Sequence, residues 1–144
     1  MEKAYREYGH DIDNTDDPYH TGLGFAVRLD KPVDFIGKQA CAEKKAAAPW
    51  PNRLVQVLVT DPEPMMFHGE VVLRDGVPVG EVRAASYGHT LGGAVGLAYV
   101  HGNPVVDTAY LDEGRWEVDI AGRRYPLRVS TRPMYDPSME RVRA

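Results

Sequence analysis

Glu2 is the residue whose type and position best suit binding chemistry in this chain. It lies within residues 1–9, where Met1, Tyr5 and Tyr8 have the i, i+4, i+7 spacing of one helical face. A carboxylate that a helix holds rigidly can accept two N–H groups of a guanidine-like heterocycle, such as a pterin ring. The alternative is an exposed glutamate that the helix dipole stabilises near the helix N-terminus.

Other reactive residue types lack the spacing that their chemistry needs. The five histidines form no pair at metal-ligand spacing with a cysteine or carboxylate, so we expect no metal site. Neither Ser86 nor Ser130 has the glycine context of a nucleophile elbow. The acidic loop 13–17 lacks the later glycine and glutamate of a calcium loop. Residues 22–27 lack the preceding strand and following helix of a dinucleotide fingerprint.

Composition and charge argue against two broad classes of partner. The 144 residues are 43% apolar and carry a formal net charge of -4, whereas nucleic-acid-binding surfaces are normally basic. No apolar run approaches the roughly 18 residues of a membrane-spanning helix. Cys41 is the only cysteine, which excludes an internal disulfide and predicts a cytoplasmic location. We expect Cys41 to be a small buried residue of an alanine-rich helix, since no base is placed to activate it.

Residues 1–50 are predicted to form a helix, a strand and a second helix. The alternation of residues 23–29 indicates the strand. Residues 37–48 are strong helix formers, and Pro49 and Pro51 end that helix in a linker. Because the first helix runs from the first residue without a capping residue, we expect the chain to be the tail of a longer protein.

Residues 51–144 carry the pattern of short β-strands. Six segments have alternating or continuous apolar residues: 54–59, 70–74, 78–84, 94–100, 116–120 and 125–129. Asp75-Gly76 and Ala121-Gly122 indicate hairpin turns. This pattern predicts a small antiparallel Greek-key barrel or sandwich, and a closed barrel would leave no exposed strand edge. The predicted fold is an α+β domain remnant over 1–50 and a mainly β barrel domain over 51–144.

Ordered motifs run through most of the chain. In the first part they are Met1-Glu2, Tyr5, Tyr8-Gly9, Asp11-Ile12, Pro18, Gly22-Leu23-Gly24-Phe25 and Asp34-Phe35-Ile36-Gly37-Lys38-Gln39-Ala40. This part resembles the folate-binding aminomethyltransferase family, which includes the glycine cleavage T-protein and the C-terminal halves of dimethylglycine and sarcosine dehydrogenases. Residues 77–100 resemble the barrel of that family. Residues 120–144 resemble the closing strand and tail of its flavin-linked dehydrogenases in particular.

The resemblance implies roles for five residues of this chain. Glu2 matches the glutamate that is expected to hold the ring nitrogens of the pterin. Tyr8 and Phe25 would lie near the same pocket, either as its wall or as packing residues. Lys31 would meet the negatively charged glutamate tail of folate, or it would be a solvated surface lysine. Tyr87 would close the pocket from the barrel side, or pack in the core.

The resemblance also implies what this chain lacks. The catalytic aspartate of the family and the FAD-binding domain both lie upstream of the matched region, so we expect no catalytic residue here. The implied function is that of a C-terminal part of a flavin-linked dimethylglycine or sarcosine dehydrogenase. Such a part contributes to tetrahydrofolate binding for one-carbon transfer and is inactive alone.

Two alternative functions remain open at this stage. The chain could be part of a flavin-free aminomethyltransferase, or a stand-alone non-catalytic subunit that acts as an interaction module. Its expected partners are tetrahydrofolate and the upstream part of the same protein or a partner chain. Self-association through exposed apolar surface is also expected.

Overall fold

Six antiparallel strands form the centre of the molecule in the computed structural model, which describes residues 1–144. The strands are β1 (Asn52–Val59), β2 (Val71–Arg74), β3 (Val77–Gly88), β4 (Gly93–His101), β5 (Trp116–Ile120) and β6 (Arg123–Ser130). The helices are α1 (Lys38–Ala46), α2 (Thr108–Asp112) and α3 (Glu140–Arg143). One further 3-10 turn spans Gly24–Ala26.

The sheet closes on itself in the order β1-β4-β3-β2-β5-β6. Strands β2, β3 and β4 follow one another, and β5 returns to pair with β2, which is the Greek-key arrangement. Pairing of β1 with β6 closes the barrel, so that no strand edge is left unpaired. The predicted Greek-key β-barrel is therefore confirmed.

The hairpin turns have the backbone conformations that their residues favour. Asp75 and Gly76 connect β2 to β3 with φ angles of 53° and 82°. Ala121 and Gly122 connect β5 to β6 with φ angles of 50° and 82°. Two successive positive φ angles match the twist of antiparallel strands, and glycine adopts them without steric cost. Both predicted turns are confirmed.

Strand β1 is buried on both of its faces, which explains its unbroken apolar run. One face points into the barrel and supplies Val55, Val57 and Val59 to the thirteen-residue core. The other face carries Leu54, which packs with Ala4 in a second, smaller cluster on the outside of the barrel. The N-terminal segment, by which we mean residues 1–36, therefore contacts the outer surface of the barrel.

The helix predicted for residues 1–9 is wrong. The Ala4 N–H donates to the carbonyl of Met1 in a tight turn, and Ala4 has a φ of 53°. The carbonyls of Met1 and Glu2 accept hydrogen bonds from the side chain of Gln56 on the barrel. These contacts hold the segment in an irregular path along the barrel and override its helical periodicity.

The strand predicted for residues 23–29 is also wrong, because no other strand pairs with it. The chain turns at Gly24–Ala26, where the ring of Tyr19 leaves no room for a Cβ on Gly24. The second predicted helix is confirmed as α1. Cys41 on that helix is half-buried, whereas we expected it to be buried. None of the residues of α1 is fully buried, so the helix lies at the surface.

Candidate functional site

A cleft of about 420 Å³ lies where the N-terminal segment, the β3–β4 turn and the C-terminal tail meet. We call it the Glu2 cleft. Its lining residues are Met1, Glu2, Lys3, Tyr5, Ser86, Tyr87, His89 and Tyr135. Four of these carry aromatic or imidazole rings, and Glu2 is the only carboxylate among them. The cleft therefore combines flat walls with a single negative hydrogen-bond acceptor.

The carboxylate of Glu2 is anchored at one oxygen and free at the other. Oε1 accepts the backbone N–H groups of Thr90 at 2.7 Å and Leu91 at 2.9 Å. Oε2 accepts no backbone N–H and keeps lone pairs for a ligand, and the hydroxyl of Thr90 also lies near the carboxylate. Burial acts to raise the pKa of Glu2, but the hydrogen bonds from Leu91 and Thr90 outweigh it and lower the pKa. Glu2 is therefore a fixed, ionised acceptor at neutral pH.

Glycine residues of the β3–β4 connection allow this anchoring. A Cβ on Gly88 would lie 2.9 Å from Cγ1 of Val95 and 3.1 Å from Oε1 of Glu2. The Gly92 N–H donates to the Gly88 carbonyl at 2.7 Å, and Gly92 has a φ of 77°. The turn is thus tight, and its N–H groups at Thr90 and Leu91 are aimed at Glu2.

The C-terminal tail forms the opposite wall of the Glu2 cleft. Nζ of Lys3 forms a salt bridge with Asp136 at 2.6 Å and lies 5.2 Å from the centre of the Tyr135 ring. The hydrogen bond from Lys3 lowers the pKa of Asp136, with smaller contributions from the N–H groups of Arg141 and Glu140. The tail and the N-terminal segment are therefore joined beside the cleft.

A second cleft of about 480 Å³ adjoins the first and shares Lys3 and Tyr5 with it. We call it the cationic cleft. Its lining residues are Lys3, Tyr5, Arg6, Gly22, Leu23, Phe25, Thr131, Arg132, Pro133 and Met139. Arg6 donates to the carbonyls of Thr21 and Ala4, and neither Arg6 nor Arg132 forms a salt bridge. Lys3 is neutralised by Asp136, so Arg6 and Arg132 are the two cations of this cleft that would suit an anionic ligand with an apolar body.

The structure brings together some of the sequence-predicted residues and separates others. Glu2 and Tyr87 line the Glu2 cleft. Phe25 is 82% exposed and lines the cationic cleft. Tyr8 and Lys31 line neither cleft: Tyr8 is 70% exposed, and Lys31 lies in a separate depression beside α1. The binding roles of all five residues remain predictions.

Sequence reasoning missed several residues of these clefts. Arg132 and Tyr135 belong to the tail, and no local pattern indicates that the tail folds back to the N-terminal segment. Tyr87 lies near the end of β3 and His89 lies in the turn that follows it, and the two rings lie 5.2 Å apart. The alternation of strand residues could not have identified this pair, because His89 lies beyond the end of β3.

The largest depression of the surface, about 660 Å³, is not a candidate site. Arg74 lies in it, but its guanidinium donates to the carbonyls of Tyr110 and Glu113 and pairs with Asp75. The two charged side chains of this depression, Arg74 and Asp75, are therefore paired with each other and with backbone groups. Across residues 1–144, no group of three or more histidine, cysteine, aspartate or glutamate residues is placed to hold a metal ion. The structure also contains no helix with the length and hydrophobicity to span a membrane.

Comparisons with curated proteins give relatives along the whole chain. The chain is 46% identical to 4-methylaminobutanoate oxidase (formaldehyde-forming) of Paenarthrobacter nicotinovorans, over 99% of its own length and 16% of that protein. It is 32% identical to mitochondrial sarcosine dehydrogenase of Homo sapiens, again over 99% of the chain and 16% of the relative. An aminomethyltransferase of a Nostoc species is 38% identical over 96% of the chain and 35% of the relative. The chain thus spans only part of these proteins.

A solved structure has the same fold. The crystal structure of glycine cleavage system aminomethyltransferase T from Bartonella henselae matches 94% of the chain and 37% of that protein, with a TM-score of 0.76 and 23% identity. Residues 52–136 match the family described as the glycine cleavage T-protein C-terminal barrel domain. This match includes all six strands of the barrel. The chain therefore belongs to the glycine cleavage T-protein C-terminal barrel domain family.

Proposed function

We propose that this chain forms one wall of a tetrahydrofolate site in a longer, flavin-linked enzyme that oxidises an N-methyl amine. The observation that carries the proposal is the free Oε2 of Glu2 in a cleft with aromatic walls. The two oxidoreductase relatives, matched over 99% of the chain, support the enzyme class. The flavin would bind to a part of the protein outside residues 1–144.

The Glu2 cleft fits the heterocyclic end of a folate. Oε2 of Glu2 accepts the N–H groups of the pterin ring, because hydrogen bonds to a charged acceptor are stronger than those to a neutral one. Tyr87 and Tyr135 flank this position and offer flat surfaces to the ring. In this proposal Glu2 orients the ring but moves no proton, since its lowered pKa keeps it ionised.

The cationic cleft fits the other end of the same ligand. Its apolar wall, which includes Phe25, would contact the aromatic middle of the folate, and Arg132 would meet the carboxylates of the glutamate tail. This assignment replaces Lys31, which lies in a separate depression. Because the two clefts share Lys3 and Tyr5, one extended ligand could occupy both.

Bound tetrahydrofolate supplies the nucleophilic nitrogen that takes up a one-carbon unit. The residues of this chain would bind and orient it and exclude water from one side. Neither cleft contains a carboxylate other than Glu2, so we propose that general acid–base catalysis comes from residues outside 1–144 and that this chain has no turnover alone.

A calorimetric titration of the chain with tetrahydrofolate tests the proposal. We expect binding to the wild-type chain and at least 10-fold weaker binding to Glu2→Gln, because the variant lacks the charged acceptor. Glu63→Gln is the matched control, since Glu63 is exposed and far from both clefts along the chain. Equal affinity of Glu2→Gln and the wild type, or no binding to the wild type, would contradict the proposal. Product from an N-methyl amine and folate with this chain alone would contradict its predicted inactivity.

A flavin-free aminomethyltransferase is the second candidate for the whole protein. The Nostoc aminomethyltransferase supports it, with 38% identity over 96% of the chain. Visible absorbance of a flavin in the purified full-length protein would decide between the two. The use of the folate site by this chain is the same in both cases.

We also propose that the N-terminal segment docks against another part of the same protein or a partner chain. Phe25, Val33 and Ile36 are strongly exposed although they are large and apolar. Without that partner the same residues favour self-association of the chain. Sedimentation of the isolated chain as a monomer at all concentrations would contradict self-association.

A cytoplasmic location remains a prediction.

A further inference from the structure

Gln56 is a polar side chain in an apolar place. It lies on β1 with 2% of its surface exposed, on the outer face of the barrel between Leu54 and Leu58. Burying an amide group without hydrogen bonds costs more free energy than a typical hydrogen bond contributes. A buried glutamine therefore needs partners for all of its polar atoms. The partners of Gln56 therefore show what this residue does.

The amide of Gln56 connects three separate parts of the chain. Its Nε2 donates to the carbonyls of Met1 at 3.0 Å and Glu2 at 2.9 Å. Its Oε1 accepts the backbone N–H of Met134 at 2.6 Å. The N-terminal segment and the C-terminal tail are thus fixed to the same strand by one side chain, across 54 and 78 positions of the sequence.

These three bonds lie directly behind the Glu2 cleft. One bond holds the backbone of Glu2, whose side chain accepts the N–H groups of Thr90 and Leu91 from this position. Another holds Met134, the residue before Tyr135, which lines the opposite wall. Both walls are therefore fixed to the barrel by an amide that does not line the cleft, while the Lys3–Asp136 salt bridge joins the two walls to each other.

The chemistry of this position is specific for glutamine. Glutamate would keep the acceptor for Met134 but would bring a carboxylate against the carbonyls of Met1 and Glu2. Asparagine is one methylene shorter and could not reach both sides. An apolar residue would leave the Glu2 carbonyl and the Met134 N–H without partners, whereas the Met1 carbonyl would keep the Ala4 N–H, and an unpaired buried polar group costs more than its bond contributes.

We propose that Gln56 is a positioning residue that sets the ligand-binding geometry of Glu2 and Tyr135. The proposal rests on the proposed folate site, which it deepens by adding a residue outside the cleft. Gln56 acts through the backbone of both walls. The interior of the barrel does not depend on it, because Val55 and Val57 form the core on the opposite face of β1.

The test compares Gln56→Met with the wild-type chain in two measurements. The first is hydrogen exchange of the Thr90 and Leu91 amides together with an NMR titration of the Glu2 carboxyl group. We expect at least 10-fold faster exchange of both amides and a rise of the Glu2 pKa to that of an exposed glutamate. The second is calorimetric titration with tetrahydrofolate, where we expect at least 10-fold weaker binding. Unchanged exchange and an unchanged Glu2 pKa would overturn the proposal.

Two further variants control this experiment. Gln39→Met makes the same chemical change on the exposed face of α1 and should alter neither measurement. Gln56→Glu keeps the acceptor for Met134, so it should release Glu2 while the Met134 amide stays protected, and it replaces Gln56→Met if that variant does not fold. Equal loss of protection at Met134 in this variant would also overturn the proposal.

The two readouts separate failure of this inference from failure of the proposed function. If the wild-type chain does not bind tetrahydrofolate, the folate proposal fails, and the exchange and titration data still decide the role of Gln56. If folate binds equally to the wild type and Gln56→Met although Glu2 is released, Gln56 holds the segment but does not position the ligand, and the positioning proposal fails.

Discussion

The barrel and the segment that precedes it are stabilised in different ways. The barrel has continuous backbone ladders around its circumference and a core of thirteen buried residues. Within residues 1–36, the only strand-type contact is an isolated bridge between Tyr8 and Ile12. This segment is held by local backbone turns, by one backbone bond from Leu54 to the His20 carbonyl, and by side chains that bond to backbone groups, such as Gln56 to Glu2.

This difference separates the scaffold from the residues proposed to bind the ligand. The barrel contains enough apolar contacts and hydrogen bonds to define its own shape. The N-terminal segment carries Glu2 but depends on the barrel surface and on the C-terminal tail for its position. Changes in the barrel should therefore affect both regions, whereas changes at the contacts between them should affect the segment alone.

The largest effect is expected from Trp116→Ala in the barrel core. Trp116 is 5% exposed, packs in the core and donates from its indole N–H to the carbonyl of Leu111 at 3.1 Å. We expect a loss of about 3–5 kcal/mol in the free energy of unfolding, because the substitution leaves a large cavity. Denaturant titration followed by circular dichroism measures this loss, and both regions should unfold together. A segment that kept its hydrogen-exchange protection after the barrel unfolds would contradict this dependence.

A smaller and more local effect is expected from Gly88→Ala. The new Cβ would crowd Cγ1 of Val95 and Oε1 of Glu2, at a cost of about 1–3 kcal/mol. Since the side chain of Glu2 can move away, we expect faster hydrogen exchange at Thr90 and little change in the remaining barrel. Ser86→Ala on the same strand adds no atom toward Glu2 and is the control. Equal exchange at Thr90 in the two variants would show that Gly88 is not needed for this contact.

The smallest effect on the N-terminal segment is expected from lowering the pH. Hydrogen bonds lower the pKa of Asp136 and that of Glu2 below their ordinary values. A lowered pKa stabilises the folded state above the unfolded pKa of about 4, and this stabilisation is lost as pH falls through the folded value. Exchange of the amides of residues 1–8 should be protected equally from about pH 5 to 7 and should lose protection first in acid. Asp136→Asn should lose the Lys3 part of this dependence, and an unchanged acid profile in that variant would contradict the role of the salt bridge.

The barrel could be predicted because its signals are local. Alternation places Val55, Val57 and Val59 on one face, and Asp75-Gly76 adopts a hairpin conformation that few other residue pairs tolerate. Helix α1 was predictable for the same reason, since its residues are strong helix formers. The exposed Phe25 and the separated Lys31 were not predictable, because their surroundings depend on how a segment without regular structure lies on the barrel.

The sequence by itself determined the strands, the turns, the family resemblance and the choice of Glu2 as a candidate ligand. Only the tertiary structure decided the conformation around Glu2, where helical periodicity predicted a helix and the contacts produce none. The reason is that the carbonyls of this segment find their partners in Gln56, which is 54 residues away from Glu2, and the Glu2 carboxylate finds its own in the β3–β4 turn. Hydrogen bonds between such distant positions leave no periodic pattern in the sequence.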